Sequence, residues 1–140
     1  MSLSTVTGVA SRIDLEALVG VYLLELEKCT PDTICPLFTA DADIFSPFLG
    51  WMKPRPFFSK LQDTSGPSSI TPIDICVRTK GQLRATGYFK YDWVLGDGSK
   101  VPFECVDVFE FNEAGLITKM IIVYDTYPIR EAVGDKYAHN

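Results

Sequence analysis

The chain has 140 residues, 46% of them hydrophobic, with 18 acidic against 13 basic side chains and a formal charge of −5. That length and apolar share fit a single domain spanning residues 1–140, with an ordered core over about 11–130. An acidic chain without a Lys/Arg cluster repels a phosphate backbone, which excludes nucleic acid as a partner. Cys29, Cys35, Cys76 and Cys105 form no C-x-x-C pair and the chain has one histidine, so no zinc ligand set is expected. They read as buried, reduced thiols of a cytoplasmic protein. Met1 to Ala10 lacks the basic start and apolar run of a signal peptide, and no stretch reaches membrane-spanning length, so no membrane partner is expected.

Ser11 followed by Asp14 resembles a capping box, and the apolar period that follows predicts a helix from Arg12 to about Lys28. Its inward stripe is Leu15, Leu18, Val19, Tyr22 and Leu26, so the Tyr22 hydroxyl needs an interior partner. Thr30-Pro31 predicts an N-cap and a proline at the first position of a second short helix through Phe38. Ala42 to Pro47 predicts a brief strand with Ile44 and Ser46 on one face, Asp43 and Phe45 on the other. Gly50 to Pro56 reads as a turn-rich connection and Phe57 to Gln62 as a third short helix. Trp51, on that connection, is read either as a lid or as a surface residue.

From Ile70 the pattern turns to strands. Ile73, Ile75 and Val77 alternate with polar neighbours, Thr79-Lys80-Gly81 is a turn, and Leu83 to Leu95 is a long aromatic-rich strand. Gly96-Asp97-Gly98 signals a hairpin. Val101 to Asn112 follows, with Phe103, Cys105, Asp107, Phe109 and Phe111 on one face. Glu113-Ala114-Gly115 turns the chain into a last strand, Leu116 to about Asp125. Three helices before a strand meander predict an α+β fold with the helices on one sheet face. The tail from Glu131, including His139, is expected at the surface.

Asp107 demands an explanation, because an ionised carboxylate in an otherwise apolar register is costly. Either a bulge turns it to solvent, or it sits in an apolar pocket with its pKa raised by desolvation, able to donate a hydrogen bond. Phe89, Tyr91, Trp93, Phe103, Met120, Ile122 and Tyr124 would line such a pocket, with Cys105 beside them, unless they are plain core.

Residues Tyr22 to Pro47, YLLELEKCTPDTICPLFTADADIFSP, and Val106 to Tyr124, VDVFEFNEAGLITKMIIVY, resemble the two signature regions of the ketosteroid isomerase and SnoaL-like group of the NTF2-like superfamily. The resemblance implies a cystatin-like cone, three helices packed on a curved, mainly antiparallel sheet. It aligns Tyr22 with the family's oxyanion-hole tyrosine, Phe38 with its helix-end aromatic, Asp107 with its protonated aspartate and Tyr124 with a pocket aromatic. Ser46-Pro47 falls on the family's Asp-Pro, so the Asp base of ketosteroid isomerase is replaced by a serine, and steroid isomerisation by that mechanism is not expected. The limonene epoxide hydrolase type needs an Arg where Cys105 stands, and the scytalone dehydratase type needs pocket histidines; both are disfavoured.

The resulting expectation is an enzyme of isomerase, cyclase or dehydratase type, polarising a carbonyl or enol of a small apolar or cyclic ligand. Tyr22, Asp107 and Ser46 would be its catalytic positions, with no metal or organic cofactor. The alternative is a non-catalytic ligand-binding or dimerisation module. The opposite sheet face carries Tyr88, Val94, Val106 and Val108, more apolar than solvation needs, which predicts a homodimer.

Overall fold

A computed structural model describes residues 13–127 and 130. Met1 to Ala10, the Ser11 cap and the His139 tail lie outside the described residues. Among those described, the order is α1 (Leu15–Lys28), α2 (Pro31–Ile34), a 3-10 turn (Cys35–Leu37), β1 (Phe38–Ser46), β2 (Gly50–Met52), α3 (Pro54–Thr64), β3 (Ser69–Val77), β4 (Arg84–Val94), β5 (Lys100–Phe111) and β6 (Ile117–Val123). Six strands form one sheet in the order β2-β1-β6-β5-β4-β3. All pairs are antiparallel except β1 with β6. This is the expected α+β architecture.

The first helix starts at Leu15 because Asp14, not Ser11, is the cap: its Oδ1 accepts from the Ala17 N–H at 3.1 Å. The helix ends on Cys29 in the left-handed region, φ 53°, whose N–H donates to the Glu25 carbonyl. Its buried stripe is Leu15, Val19, Tyr22, Leu23 and Leu26; the expected Leu18 is only half-buried and Leu23 takes its share of the core. Each such side chain contributes about 1.5–3 kcal/mol on burial, an upper bound because unfolded chains are already partly collapsed.

The second helix is shorter than expected. Pro36 gives way to a 3-10 turn, and Phe38 already begins β1, which is longer than the Ala42–Pro47 segment predicted. Thr30 precedes Pro31 as expected but makes no side-chain cap bond. The predicted turn-rich stretch holds β2 and the first turn of α3, where Pro54 takes an early helical position. In β3 the register shifts between Pro72 and Asp74, leaving Ile73 exposed rather than in the predicted alternation.

The sheet's two faces differ. Inward from β5 point Val101, Phe103, Cys105, Asp107, Phe109 and Phe111; each lies deeper than its outward neighbours, so the register does not flip at Asp107. One transverse row, Ala85–Phe109–Met120–Ile44, forms the packed floor beneath the helices. The next row toward the β4–β5 hairpin is Gly87–Asp107–Ile122. On the outer face, Thr86, Val108, Ile121, Phe45 and Trp51 pair in sequence across five strands. Trp51 is 55% exposed, with its ring against Phe45 and Lys119, so it is a surface residue and not a lid. Cys76 is exposed and Cys35 half-buried, correcting the expectation of four buried thiols; all four cysteines are free. Among the described residues no helix is long and apolar enough to cross a membrane.

Candidate active site

Above the packed row the helices and the sheet diverge, leaving a cavity of about 420 Å³, within the range of small-molecule sites. Its sheet wall is Phe89, Tyr91, Trp93, Phe103, Cys105, Asp107 and Ile122. Tyr22 and Leu26 of α1 close one side, Phe57, Lys60, Leu61 and Thr64 of α3 another, and Ser46, Phe48, Leu49 and Tyr124 the third. The hairpin residues Leu95, Gly96 and Asp97 form part of the rim.

Of the positions expected from sequence, Tyr22, Ser46, Asp107, Phe89, Tyr91, Trp93, Phe103, Cys105, Ile122 and Tyr124 all border this cavity. Met120 does not. It faces inward as parity required, but it pairs with Ile44 and Phe109 in the packed row one residue pair deeper, where it is fully buried. Parity fixes the face of a strand residue; it says nothing of depth.

Tyr22 borders the same cavity as Asp107 because the helix lies close to the sheet. Gly87 is the β4 partner of Asp107, and a Cβ there would stand 2.9 Å from Val19 Cγ1 and 3.7 Å from Phe109 Cε1. The missing side chain lets Val19 settle onto the strand. Tyr22 follows one turn later, and its ring packs edge-on against Phe109 at 5.0 Å. Phe38 and Phe58 brace the same ring at 6.1 and 6.4 Å.

Asp107 is 2% exposed and Tyr22 1%. Burial pushes the Asp107 carboxyl up to about 7, while a hydrogen bond donated by Cys105 Sγ to its Oδ1, at 3.1 Å, pulls it back. Burial, then the Asp107 charge, pushes the Tyr22 hydroxyl far above its ordinary range. Burial likewise keeps the Cys105 thiol protonated, with Asp107 adding to the effect. Around neutrality the pocket therefore presents a neutral phenol and a neutral thiol beside a carboxyl poised between its two forms.

Position 46, which the sequence resemblance aligned with an Asp base, offers nothing basic. Ser46 is buried at the cavity wall, one residue beyond Phe45. Asp43 points to the opposite face and is held by Lys53 Nζ at 2.7 Å, and Lys53 also donates to the Asp41 carbonyl. The sequence reading missed Lys60 and Asp97, exposed ionisable groups at the rim, together with Leu26, Phe48, Leu49, Phe57, Leu61, Thr64 and Leu95. Leu26 alone carried a signal, its place on the helix stripe. The others sit on the third helix, the connection between β1 and β2, and the β4–β5 hairpin, where local patterning says nothing of what they face. Among the described residues no cluster of three His, Cys, Asp or Glu side chains is placed to hold a metal ion.

No protein-family model and no curated protein matches the sequence. Solved structures do match. SalBIII, an epoxide hydrolase/cyclase-like enzyme with a role in pyran ring formation in the polyether salinomycin, superposes with TM-score 0.68 at 18% identity, over 79% of this chain and 90% of its own. The BvnE pinacolase of Penicillium brevicompactum superposes with TM-score 0.73 at 17% identity, over 85% of this chain and 88% of its own. The fold is thus the NTF2-like cone that the sequence resemblance implied.

Proposed function

We propose that the protein is an acid–base enzyme of isomerase, cyclase or dehydratase type, acting without a separate carboxylate base on a small, largely apolar substrate with a carbonyl, enol or comparable oxygen. The observation that carries this reading is the Asp107 carboxyl, pushed up to about 7 by burial in the wall of an open apolar cavity that Tyr22 also lines. A carboxyl of that kind gives a proton or a hydrogen bond to a developing oxyanion and takes the proton back later in the same turnover. Tyr22 donates to the same oxygen. Ser46 supplies a neutral hydroxyl at the wall, and the aromatic lining excludes water and holds a flat or cyclic frame. The similarity of fold to a cyclase-like enzyme and a pinacolase agrees with redox-neutral chemistry of this kind. An open cavity containing both donors favours an enzyme over a packed dimerisation module.

The test uses naphthol as a probe of the oxygen site and a panel of hydroxy ketones, epoxides and diols as candidate substrates. Asp107→Asn keeps a donor and is expected to hold naphthol; Asp107→Ala loses the hydrogen bond and about 1–3 kcal/mol of binding. Turnover in the panel, followed by NMR, is expected from the wild type and not from Asp107→Ala. Equal naphthol affinity of Asp107→Ala and wild type would remove the basis of the reading.

The outer sheet face supports a homodimer. Its row of Thr86, Val108, Ile121, Phe45 and Trp51, with Val123 beside it 52% exposed, is an apolar surface that a second copy would cover. Light scattering at micromolar concentration is expected to give twice the chain mass, and Val108→Lys the monomer; a wild-type monomer would contradict it.

A further inference from the structure

Tyr91 stands apart from the rest of the aromatic lining. It lies on the inner face of β4, paired with Ile70 on β3 and Phe103 on β5. Its ring is fixed among Phe103, Phe89 and Trp93, with centroids at 5.5, 6.3 and 6.4 Å. Trp93 is itself held, its indole N–H donating to Ser65 Oγ at 2.7 Å. A phenol packed on three sides is pre-organised, so directing its hydroxyl at a ligand costs little entropy.

Tyr91 also borders two spaces at once. One is the apolar cavity it shares with Tyr22 and Asp107. The other is a smaller, more polar hollow of about 380 Å³, lined by Glu27, Lys28, Cys29, Gln62, Ser65 and Ser68 among others. Its electrical surroundings differ from those of Tyr22. Apart from burial, the strongest influence on the Tyr22 hydroxyl is Asp107; on Tyr91 it is Cys29, at the end of α1, with Asp107 second. The two phenols come from opposite layers of the fold, Tyr22 from α1 and Tyr91 from β4, where Tyr91 pairs with Phe103 four residues along the strand from Gly87, the partner of Asp107. Burial keeps both protonated, so both are donors.

We infer that Tyr91 is a further catalytic residue, a second oxygen-binding centre beyond the Tyr22–Asp107 pair, and that the natural substrate carries two oxygen functions on one apolar frame. The inference rests on the acid–base reading of the pocket and narrows its substrate class. With one oxygen on Asp107 and Tyr22, a second group, hydroxyl or carbonyl, is anchored by Tyr91 where the lining turns polar. A substrate held at both ends is fixed in orientation, and an apolar ring held at one end is free to turn.

Naphthol and a series of dihydroxynaphthalenes share one frame and differ in the number and spacing of oxygens, so titration calorimetry with these probes separates the two centres. At least one dihydroxy isomer is expected to bind the wild type about tenfold more tightly than naphthol, the gain of one buried hydrogen bond. Tyr91→Phe retains the ring and is expected to bring that ratio to about one, with circular dichroism and thermal melting showing the variant folded. Asp107→Ala is expected to weaken both probes while preserving the ratio. A ratio of about one in the wild type across the series, or a ratio that survives Tyr91→Phe, overturns the Tyr91 centre and leaves the acid–base reading standing. Failure of every probe to bind the wild type overturns both.

Discussion

Two of the carboxyl groups on strand β5, Asp107 and Glu110, lie three residues apart and are held in opposite ways. Glu110 faces outward, where Arg84 Nη2 donates to Oε2 at 3.0 Å and Gln82 Nε2 to Oε1 at 3.3 Å. Asp107 faces inward and has a weak thiol donor at 3.1 Å, with no lysine, arginine or histidine among the described residues offsetting its burial. A carboxylate that serves the fold is given a cation at the partly wet surface. One that is buried without a cation costs stability, and a perturbed carboxyl in a cavity wall is the kind of group the proposed acid–base chemistry uses.

The largest effect separating the two groups is on stability against pH. The folded chain holds the Asp107 proton up to about pH 7, and the unfolded chain releases it near the ordinary aspartate value of 3.8. Below the lower value both states are protonated and the group makes no difference. Between the two values the unfolded state loses its proton first, so stability falls as pH rises, by at most about 4 kcal/mol once pH passes 7. Asp107→Asn is expected to abolish that decline and to be the more stable protein at pH 8, as read from urea unfolding across pH. Parallel curves for the two proteins would show that Asp107 is not buried as described.

Next in size is Gly87→Ala. The added Cβ would meet Val19 Cγ1 at 2.9 Å, so α1 must lift or Val19 must shift, at a cost of about 1–3 kcal/mol. Because Tyr22 rides on the same helix, naphthol affinity is expected to fall along with stability, and Val19→Ala in the same chain to restore part of both. No change in either property would show that the Gly87–Val19 approach does not position Tyr22. The smallest effect belongs to the outer carboxyl: Glu110→Gln is expected to cost less than about 1 kcal/mol in thermal or urea unfolding, because Arg84 is more than a third exposed, and to leave probe binding unchanged. A loss comparable to that at Asp107 would erase the contrast between the two groups.

Much of this arrangement was legible in the sequence because strand parity and helix period report which face a residue occupies. Phe103 to Phe111 alternated cleanly enough to place Asp107 inside, and Val19 and Tyr22 shared a stripe, so the central pair could be read from patterning and from the family resemblance together. Depth was not legible. Met120 and Ile122 have the same parity on β6, yet one is sealed in the packed row and the other borders the cavity, because where helices diverge from a sheet depends on packing partners such as Gly87 and Val19. Lys60 and Asp97 were invisible for the same reason: a helix flank and a hairpin tip reach the rim through tertiary placement alone. The start of α1 was misread because Ser11 and Asp14 are both good caps, and only the hydrogen bond to the Ala17 N–H chooses between them.

The pH dependence of binding follows the same sign. A neutral Asp107 donates to an oxyanion and an ionised one repels it, so affinity for naphtholate-like ligands is expected to fall as pH rises through about 7. The most direct test is NMR titration of the Asp107 side-chain carboxyl carbon in the ligand-free protein, with Asp107→Asn identifying the signal. A midpoint near 7, some three units above an ordinary aspartate, is the result expected. A midpoint near 4 would mean a charged carboxylate at neutral pH and would contradict the claim that Asp107 is the acid of this site.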